Sequence, residues 1–130
     1  MRSTTEDLCR WHDALLGGRL LHAPSLAAML APVRLNDGSL ATIETDADTV
    51  AAWGTLRYGM GIAMGNTGGR PLVTHTGSIN GFLSQLTSYP EQRVSVAVII
   101  NSGRADEARA GANEKALRAA LREGARIALG

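Results

Sequence analysis

The chain has 130 residues, a length typical of one domain. Hydrophobic residues make up 45% of it and charged residues 19%, so it can bury a core and lacks the composition of a disordered segment. Its 13 basic and 12 acidic residues leave a net charge of +1, which gives no electrostatic reason to expect a nucleic acid or an anionic membrane as partner. No apolar run reaches the length of a membrane-spanning helix.

The first 32 residues predict two helices. Residues 3–18, "STTEDLCRWHDALLGG", open with Ser3 and Glu6 at the spacing of a capping box and close with a pair of glycines. Residues 23–32, "APSLAAMLAP", predict a short helix between two prolines. The side chains at helical spacing in the first helix, which we expect to face a core, are Leu8, Trp11, Leu15 and Leu16.

Residues 33–56 are polar and irregular, and we expect a solvated loop there. Asp46 and Asp48 form an Asp-x-Asp pair, but a calcium loop also needs a glycine and a distal glutamate, so we expect no metal site. His12 and His22 have no ligand partners at suitable spacing, and we interpret both as surface or capping residues.

The only cysteine, Cys9, cannot form a disulfide within the chain. It lies beside the apolar face of the first predicted helix, and nothing near it in sequence lowers the pKa of a thiol. We therefore interpret Cys9 as a small packed residue. No export signal follows Met1, and the sequence leaves the compartment open.

From Tyr58 onward the pattern predicts strands. "YGMGIAMG" and "RPLVTHT" flank the turn sequence "NTGG", which suits a hairpin. This glycine-rich turn lacks the Gly-Lys-Ser/Thr ending of a phosphate-binding loop, so we expect no nucleotide cofactor. "FLSQLTSYP" predicts a further strand, and "VSVAVIINS" is continuous and β-branched enough to predict a buried interior strand.

Residues 105–129 predict a final helix. The residues that we place on its buried face are Leu117, Ala120, Leu121 and Ala128. The predicted fold class is therefore α+β, with an antiparallel sheet meander flanked by N- and C-terminal helices.

The stretch "THTGSINGF", residues 74–82, carries the chemistry. His75 can supply a proton or a hydrogen bond near neutral pH, and Thr76 adds a hydroxyl. Gly77 and Gly81 let a ligand or another backbone come close, and a backbone N–H past the triplet can stabilise an oxyanion. The alternative is a polar residue satisfied on a half-exposed strand, which is the usual case for an isolated histidine.

The stretch resembles the third signature of the serine β-lactamase and penicillin-binding-protein superfamily, a Lys-Thr-Gly or His-Thr-Gly triplet on an edge strand of the catalytic cleft. The histidine form is similar to that of the branch related to class C β-lactamases, which holds D-Ala-D-Ala carboxypeptidases, D-aminopeptidases and esterases. "STTEDLCRWHDALLGGRLL" resembles the helix of the family, "YGMGIAM" its "YG-x-G" strand, and "HTGSINGFLSQLTSYPEQRVSVAVIINS" its last two strands.

The resemblance implies a role for each residue of the triplet. His75 would be the catalytic residue that binds the substrate carboxylate or assists proton transfer. Thr76 and Gly77 would contact the substrate. Ser78 would contribute its backbone N–H to the oxyanion hole, and its side chain would not be the nucleophile.

Two motifs of the family do not occur at their places in this sequence. Ser-x-x-Lys, which supplies the nucleophile and its base, is excluded because the only lysine, Lys115, follows Ala112 at that spacing. Tyr-x-Asn or Ser-x-Asn has a match in letters at residues 78–80, but this match follows the triplet directly and cannot form the opposite side of a cleft.

The sequence therefore predicts a single partial domain over residues 1–130, the C-terminal portion of a β-lactamase-like fold, inactive alone and without cofactor or metal. Two alternatives stay open: one half of a split hydrolase, and a non-catalytic module that binds peptides. If completed, the site would take a peptidoglycan-like peptide, a β-lactam or an ester. The strand at residues 94–101 would have an open edge, and we expect it to pair with a second copy or with the N-terminal half.

Overall fold

The computed structural model describes residues 3–102 and 107–130. Their elements follow in chain order: α1 (Thr5–Leu16), α2 (Ala23–Leu30), α3 (Ala47–Trp53), β1 (Arg57–Tyr58), β2 (Ala63–Thr67), β3 (Arg70–Ile79), β4 (Phe82–Tyr89), β5 (Val94–Ile100) and α4 (Glu107–Leu129). The strands form one antiparallel five-stranded sheet in the order β1-β2-β3-β4-β5. This confirms the predicted α+β meander.

The hairpin turns lie where the sequence places them. Gly68 and Gly69 join β2 to β3, and both have positive φ angles, 55° and 84°, which L-residues with a side chain rarely adopt. The two-residue turn of Asn80 and Gly81 joins β3 to β4. A single uninterrupted β3–β4 ladder runs from the Val73–Ser88 pair to the pair at the hairpin tip.

The main core lies between the sheet and α4. Its buried side chains are Trp53, Leu56, Ala63, Leu72, Tyr89, Leu121 and Ala125. The buried face of α4 was only half predicted. Leu117 and Leu121 are buried, but Ala120 and Ala128 are exposed. The residue buried one turn after Leu121 is Ala125, because the helical repeat places positions i and i+4 on one face. Residues 105 and 106 of the predicted helix lie outside the described residues.

Helix α1 begins one residue later than the sequence suggests. Its N-cap is Thr4, whose hydroxyl accepts a hydrogen bond from the backbone N–H of Asp7 at 3.1 Å. The predicted capping box of Ser3 and Glu6 is therefore wrong in register. Glu6 instead forms an exposed ion pair with Arg10 on the next turn.

The buried face of α1 is also rotated from the prediction. Leu15 is buried and Leu8 and Leu16 are half-buried, as expected, but Trp11 is 57% exposed. His12, predicted to be a surface or capping residue, is 4% exposed and packs into the sheet. His22 does occupy the N-cap position of α2 and is exposed, although its side chain makes no capping hydrogen bond.

Residues 33–56 contain an element that the sequence did not predict. Asp46 caps α3 by accepting a hydrogen bond from the backbone N–H of Thr49 at 2.8 Å, and Trp53 at the end of α3 is 3% exposed. Burial of this indole compensates for the weak propensity of so short a helix. Asp48 is exposed, and the described residues hold no group of three side chains that could bind a metal ion.

Strand β5 was predicted to be interior, but in the sheet of the described residues it lies at the edge, with β4 as its neighbour. Its residues are mostly half-buried because α1 packs on one face and α4 on the other. Helix α4 approaches closely at Gly124, where a Cβ atom would lie 3.0 Å from a methyl carbon of Val96. The strand thus has the covered faces of an interior strand and the free edge of a terminal one.

Gly59, in the "YG-x-G" stretch, holds α2 against the sheet. A Cβ atom at this position would lie 2.4 Å from the carbonyl oxygen of Met29 and 3.2 Å from that of Ala31. Both are backbone atoms at the end of α2, so no side-chain rotation can relieve the clash. Only glycine permits this contact.

Replacing Gly59 with alanine should therefore lower the free energy of unfolding by about 1–3 kcal/mol, the usual cost of overpacking. The matched control is Gly111→Ala in α4, where an added Cβ meets no atom within 4 Å. Since alanine is the better helix former, that change should raise stability by about 1 kcal/mol. Urea unfolding measures both. A G59A protein as stable as G111A would contradict the packing described for α2.

Candidate functional site

The triplet of residues 75–77 lies on a half of β3 that has an open edge. Strand β2 pairs with β3 only as far as Thr74, which lies opposite Ala63. Beyond that point β3 continues with β4 alone, up to the pair of Ile79 and Phe82. Residues 75–79 are exposed, and their side away from β4 has no strand partner among the described residues. The resemblance implied an edge strand, and β3 is one over this half of its length.

His75 is held by two hydrogen bonds at this open edge. Its Nδ1 lies 2.7 Å from the carbonyl oxygen of Thr76, and its Nε2 lies 3.1 Å from the hydroxyl of Tyr58. A carbonyl oxygen only accepts, so Nδ1 carries a proton. In the neutral ring Nε2 then accepts from the Tyr58 hydroxyl. The imidazole is therefore fixed in one tautomer, with Nε2 as its basic atom.

Tyr58 links the main core to His75. Tyr58 and Trp53 both contact the main core. Tyr58 additionally places its hydroxyl on His75, with ring centroids 6.2 Å apart. Because Tyr58 lies 17 residues before His75, no local pattern could show this bond.

The next residues of the triplet are placed by the β3–β4 register. Thr76 lies opposite Gln85, Gly77 opposite Ser84, and Ser78 opposite Leu83. A Cβ atom at Gly77 would lie 2.6 Å from the Ser84 hydroxyl oxygen, so the missing side chain leaves room for that hydroxyl. Thr76 and Ser78 are exposed. The structure therefore brings the four predicted site residues together along one accessible edge.

A cleft of about 260 Å³ lies between α1 and this part of β3, and we call it the α1 cleft. Its side chains come from α1, α2 and the sheet. They include Leu8, Trp11, His12, Leu15, Met29, His75 and Ser84. Trp11, which we predicted to face the core, is instead exposed and forms part of the apolar lining of the cleft.

A hydrogen-bond chain that starts at the buried His12 and ends at the exposed Asp13 fixes α1 on the sheet behind the cleft. His12 Nδ1 lies 2.7 Å from the Ser88 hydroxyl, which lies 2.8 Å from the Ser95 hydroxyl, which donates to Asp13 at 3.0 Å. Each hydroxyl has one proton to donate. Since the Asp13 carboxylate takes the proton of Ser95, Ser95 accepts from Ser88, and Ser88 must accept from His12.

The direction of this chain excludes His12 and Ser88 as a base and its nucleophile. A base must accept the proton of the nucleophile, whereas here His12 donates. Ser88 is also only 1% exposed. Burial lowers the pKa of His12, while the neighbouring Asp13 opposes that shift and His75 adds to it. The neutral ring is thus favoured, and the pair is a structural link.

Cys9 lies on the same side of the sheet, with its Sγ 3.6 Å from the carbonyl oxygen of Ser95. Burial raises the pKa of the Cys9 thiol, and Asp13 raises it further. A thiol with a raised pKa is a poor nucleophile at neutral pH, which agrees with the packed residue predicted.

No described helix is long and apolar enough to cross a membrane.

The sequence profile of the beta-lactamase family matches residues 1–121, nearly the whole chain. The chain belongs to the beta-lactamase family. Among solved structures, a D-stereospecific amidohydrolase from Streptomyces sp. is similar to this beta-lactamase-family chain with a TM-score of 0.56 and 24% sequence identity. At that identity the likeness shows the fold alone. A comparison with curated proteins found no significant match.

The two matches confirm the superfamily and the partial fold that the sequence predicted. The alignment covers 75% of this beta-lactamase-family chain but 25% of the amidohydrolase chain. This chain therefore spans about a quarter of the length of the solved structure that it resembles.

Proposed function

We propose that the chain is the C-terminal part of a β-lactamase-related serine hydrolase and contributes the His-Thr-Gly side of its active site but not its nucleophile. The hydrolase would be of the D-Ala-D-Ala carboxypeptidase, D-aminopeptidase or esterase type. One observation carries the proposal: residues 75–79 stand on an open strand edge beside a cleft, with His75 fixed in one tautomer.

In this proposal the residues of the triplet have distinct roles. Nε2 of His75 takes or returns a proton, with the Tyr58 hydroxyl as its neighbouring donor, or binds the substrate carboxylate when the ring is charged. Thr76 and Gly77 bind the substrate along the edge. The backbone N–H of Ser78 stabilises the oxyanion that forms on the attacked carbonyl.

The absence of a nucleophile from the chain is supported by its hydrogen bonds as well as its sequence. No Ser-x-x-Lys occurs in the 130 residues. Among the described residues, the hydrogen-bond partners of the His75 ring are Tyr58 and a carbonyl oxygen. Ser88, which is bonded to the buried His12, accepts the proton of that histidine and so is not activated. The serine and its base would come from another polypeptide segment that packs on the α1 cleft.

A second function, peptide binding without turnover, is favoured by the same open edge. An extended peptide can add to such an edge as a strand, bound by its own backbone. Ile79 and Phe82 are 71% and 48% exposed at the hairpin tip and could contact side chains of that peptide. This alternative needs no nucleophile.

Co-expression tests the hydrolase proposal. The chain is produced together with the N-terminal portion of a beta-lactamase-family hydrolase that carries Ser-x-x-Lys and Tyr-x-Asn, and p-nitrophenyl acetate hydrolysis is measured. We expect the two together to exceed the sum of the separate chains. His75→Ala in the complex should lower kcat/KM by about 10²–10⁴-fold, the usual contribution of an acid–base group.

The control is Thr42→Val, an exposed change away from the triplet, which should leave the rate unchanged. Unaided turnover by the chain alone would contradict the proposal. Saturable binding of a D-Ala-D-Ala peptide by the chain, with no hydrolysis in the complex, would support the binding module instead.

We also propose that β5 pairs with the β5 of a second copy when the chain is alone. Its sequence, Val-Ser-Val-Ala-Val-Ile-Ile, contains neither a charged residue nor a proline. These are the residues that usually protect a free strand edge from pairing. Helix α4 lies over β5 and β4, so antiparallel pairing of two β5 strands would bring two α4 helices side by side. On the exposed side of each α4 helix, next to Gly124, lie Ala116, Ala120 and Ile127. These side chains are small or apolar enough for contact between two helices.

Ile99→Lys tests this pairing, because a lysine on a strand edge prevents edge-to-edge association. We expect a concentration-dependent mass above 13.7 kDa for the unmodified chain in analytical ultracentrifugation, and a monomer for I99K. The matched control, Ile79→Lys on the open edge of β3, should associate like the unmodified chain. Equal association of I99K and the unmodified chain, or a monomer at every concentration, would overturn the proposal.

A further inference from the structure

A second cavity lies on the other side of the sheet from the α1 cleft, and we call it the polar cavity. It measures about 180 Å³ and is bounded by the segment before α3, by α3 itself, by β4 and by α4. Its lining includes Thr45, Thr49, Trp53, Thr76, Gln85 and Arg118. Of the lining residues, His75 and Thr76 also belong to the proposed hydrolysis, which does not use Thr45, Thr49, Gln85 or Arg118.

The polar cavity collects the buried side-chain atoms that lack a protein partner. Among the described residues, three buried side-chain oxygens make no hydrogen bond: Thr45 Oγ1, Thr49 Oγ1 and Gln85 Oε1. All three residues line this cavity. Gln85 and Thr49 are each only 2% exposed. A buried polar atom without a partner costs about 1–3 kcal/mol, so three in one place indicate a site built to receive polar groups.

The hydrogen-bond network fixes what the Gln85 oxygen can do. The Thr74 hydroxyl donates its single proton to the carbonyl oxygen of Leu86 at 3.1 Å and accepts from Gln85 Nε2 at 3.3 Å. These bonds orient the side-chain amide of Gln85, so that Nε2 is bonded to Thr74 and Oε1 has no hydrogen-bond partner. Oε1 is an acceptor only, so its missing partner must be an N–H or O–H donor.

The two threonines complete a mixed set. The neighbouring Thr49, through its side chain and its backbone N–H, holds the pKa of the Asp46 carboxyl below its usual range. The Thr49 hydroxyl itself has no hydrogen-bond partner, and its oxygen can accept. Thr45 can donate or accept. Together the three residues offer two acceptors and one donor.

The charges around the cavity exclude an ionic ligand as the best fit. Arg118 is the cationic lining residue, but its guanidinium already pairs with Asp46 at 3.2 Å and with Glu114 at 3.4 Å. Glu44 also lines the cavity. His75 also lines the cavity, but both of its ring nitrogens already have partners, the Tyr58 hydroxyl and the carbonyl oxygen of Thr76. A buried ammonium would stand near Arg118 and pay a large cost of desolvation.

We propose that the polar cavity binds a neutral primary amide group. Such a group has two N–H donors for the oxygens of Gln85 and Thr49, and one carbonyl acceptor for the hydroxyl of Thr45. A secondary alcohol has one donor too few, and a ketone has none. The inference goes beyond the proposed hydrolysis and does not depend on it. If that hydrolysis holds, Thr76, which borders the cavity, makes it the pocket for an amide substituent of the substrate.

Four probes of similar size test the proposal: propionamide, 2-butanone, propionate and propylammonium. Each is titrated into the ¹⁵N-labelled chain, and amide chemical shifts are followed by NMR. Propionamide should saturably shift the Gln85 side-chain amide and the backbone amides of Thr45 and Thr49. The ketone and the carboxylate should bind at least about tenfold more weakly, because each leaves the Gln85 acceptor without a donor.

Variants locate the site. Gln85→Met removes the acceptor at similar volume and should abolish the saturable shifts of the neighbouring backbone amides. If Q85M does not fold, Thr45→Val removes the donor hydroxyl and should weaken propionamide binding about tenfold. Thr42→Val, the same change outside the cavity, should leave binding intact.

Four results would overturn the inference: no saturable shift, equal binding of 2-butanone, tighter binding of propionate, or tighter binding of propylammonium than of propionamide. Because binding is measured in the chain alone and without turnover, such a failure leaves the hydrolase proposal untouched. Equally, a failure of co-expression to restore hydrolysis leaves this binding result untouched.

Discussion

The antiparallel pairing of β3 with β4 is the constraint on which the rest of the structure depends. Successive side chains of a strand point to opposite faces, so a slip by one residue would exchange the two faces of the sheet. The observed register places Thr74 and Thr76 with Thr87 and Gln85 towards α4. It places His75 on the opposite face from Thr74 and Thr76, just after the point where the pairing of β3 with β2 ends. The position of the histidine and the polarity of the cavity follow from one ladder.

Two different kinds of contact hold helices on that ladder. On the α4 side the contact is apolar, with Leu121 and Ala125 buried against Leu72 and Tyr89. On the α1 side it is a directed chain of hydrogen bonds that begins at His12 and ends at Asp13. A hydroxyl chain with only one consistent direction specifies the position of α1 more sharply than apolar packing does. It also explains why a histidine and a serine in contact here do no chemistry.

Much of the fold could be predicted from local patterns. The glycine pair at residues 68–69, the alternation in β4 and the β-branched run of β5 each report on their own segment, and β3, β4 and β5 lie where strands were expected. The predicted strand at residues 58–65 is instead interrupted at residues 59–62, between β1 and β2. Helix α3 was missed because its stability comes from burying Trp53 and capping with Asp46 in a helix of seven residues. The sequence predicted a buried Trp11 and an exposed His12, and the structure shows the reverse. No local pattern could indicate this, because the hydrogen-bond partner of His12 is Ser88, 76 residues away.

The candidate site likewise has one part that local patterns could predict and another that depends on contacts between distant residues. The triplet is contiguous, so a motif could find it, and the family match over residues 1–121 confirms the resemblance. The Tyr58 bond to His75 and the convergence of Thr45, Thr49 and Gln85 depend on tertiary contact, and no spacing in the sequence indicates them. In the function that we propose, the fixed histidine on the open edge acts with a serine that another segment supplies.

The most direct test of that claim is covalent labelling of the chain alone. The folded chain is incubated with a fluorophosphonate, which reacts with activated serines, and its intact mass is measured beside a serine hydrolase that serves as the positive control. The account predicts no adduct on the 13.7 kDa chain under conditions that label the control fully. A stoichiometric adduct, mapped by peptide analysis to Ser78 or Ser88, would show an activated nucleophile within the chain and contradict the account.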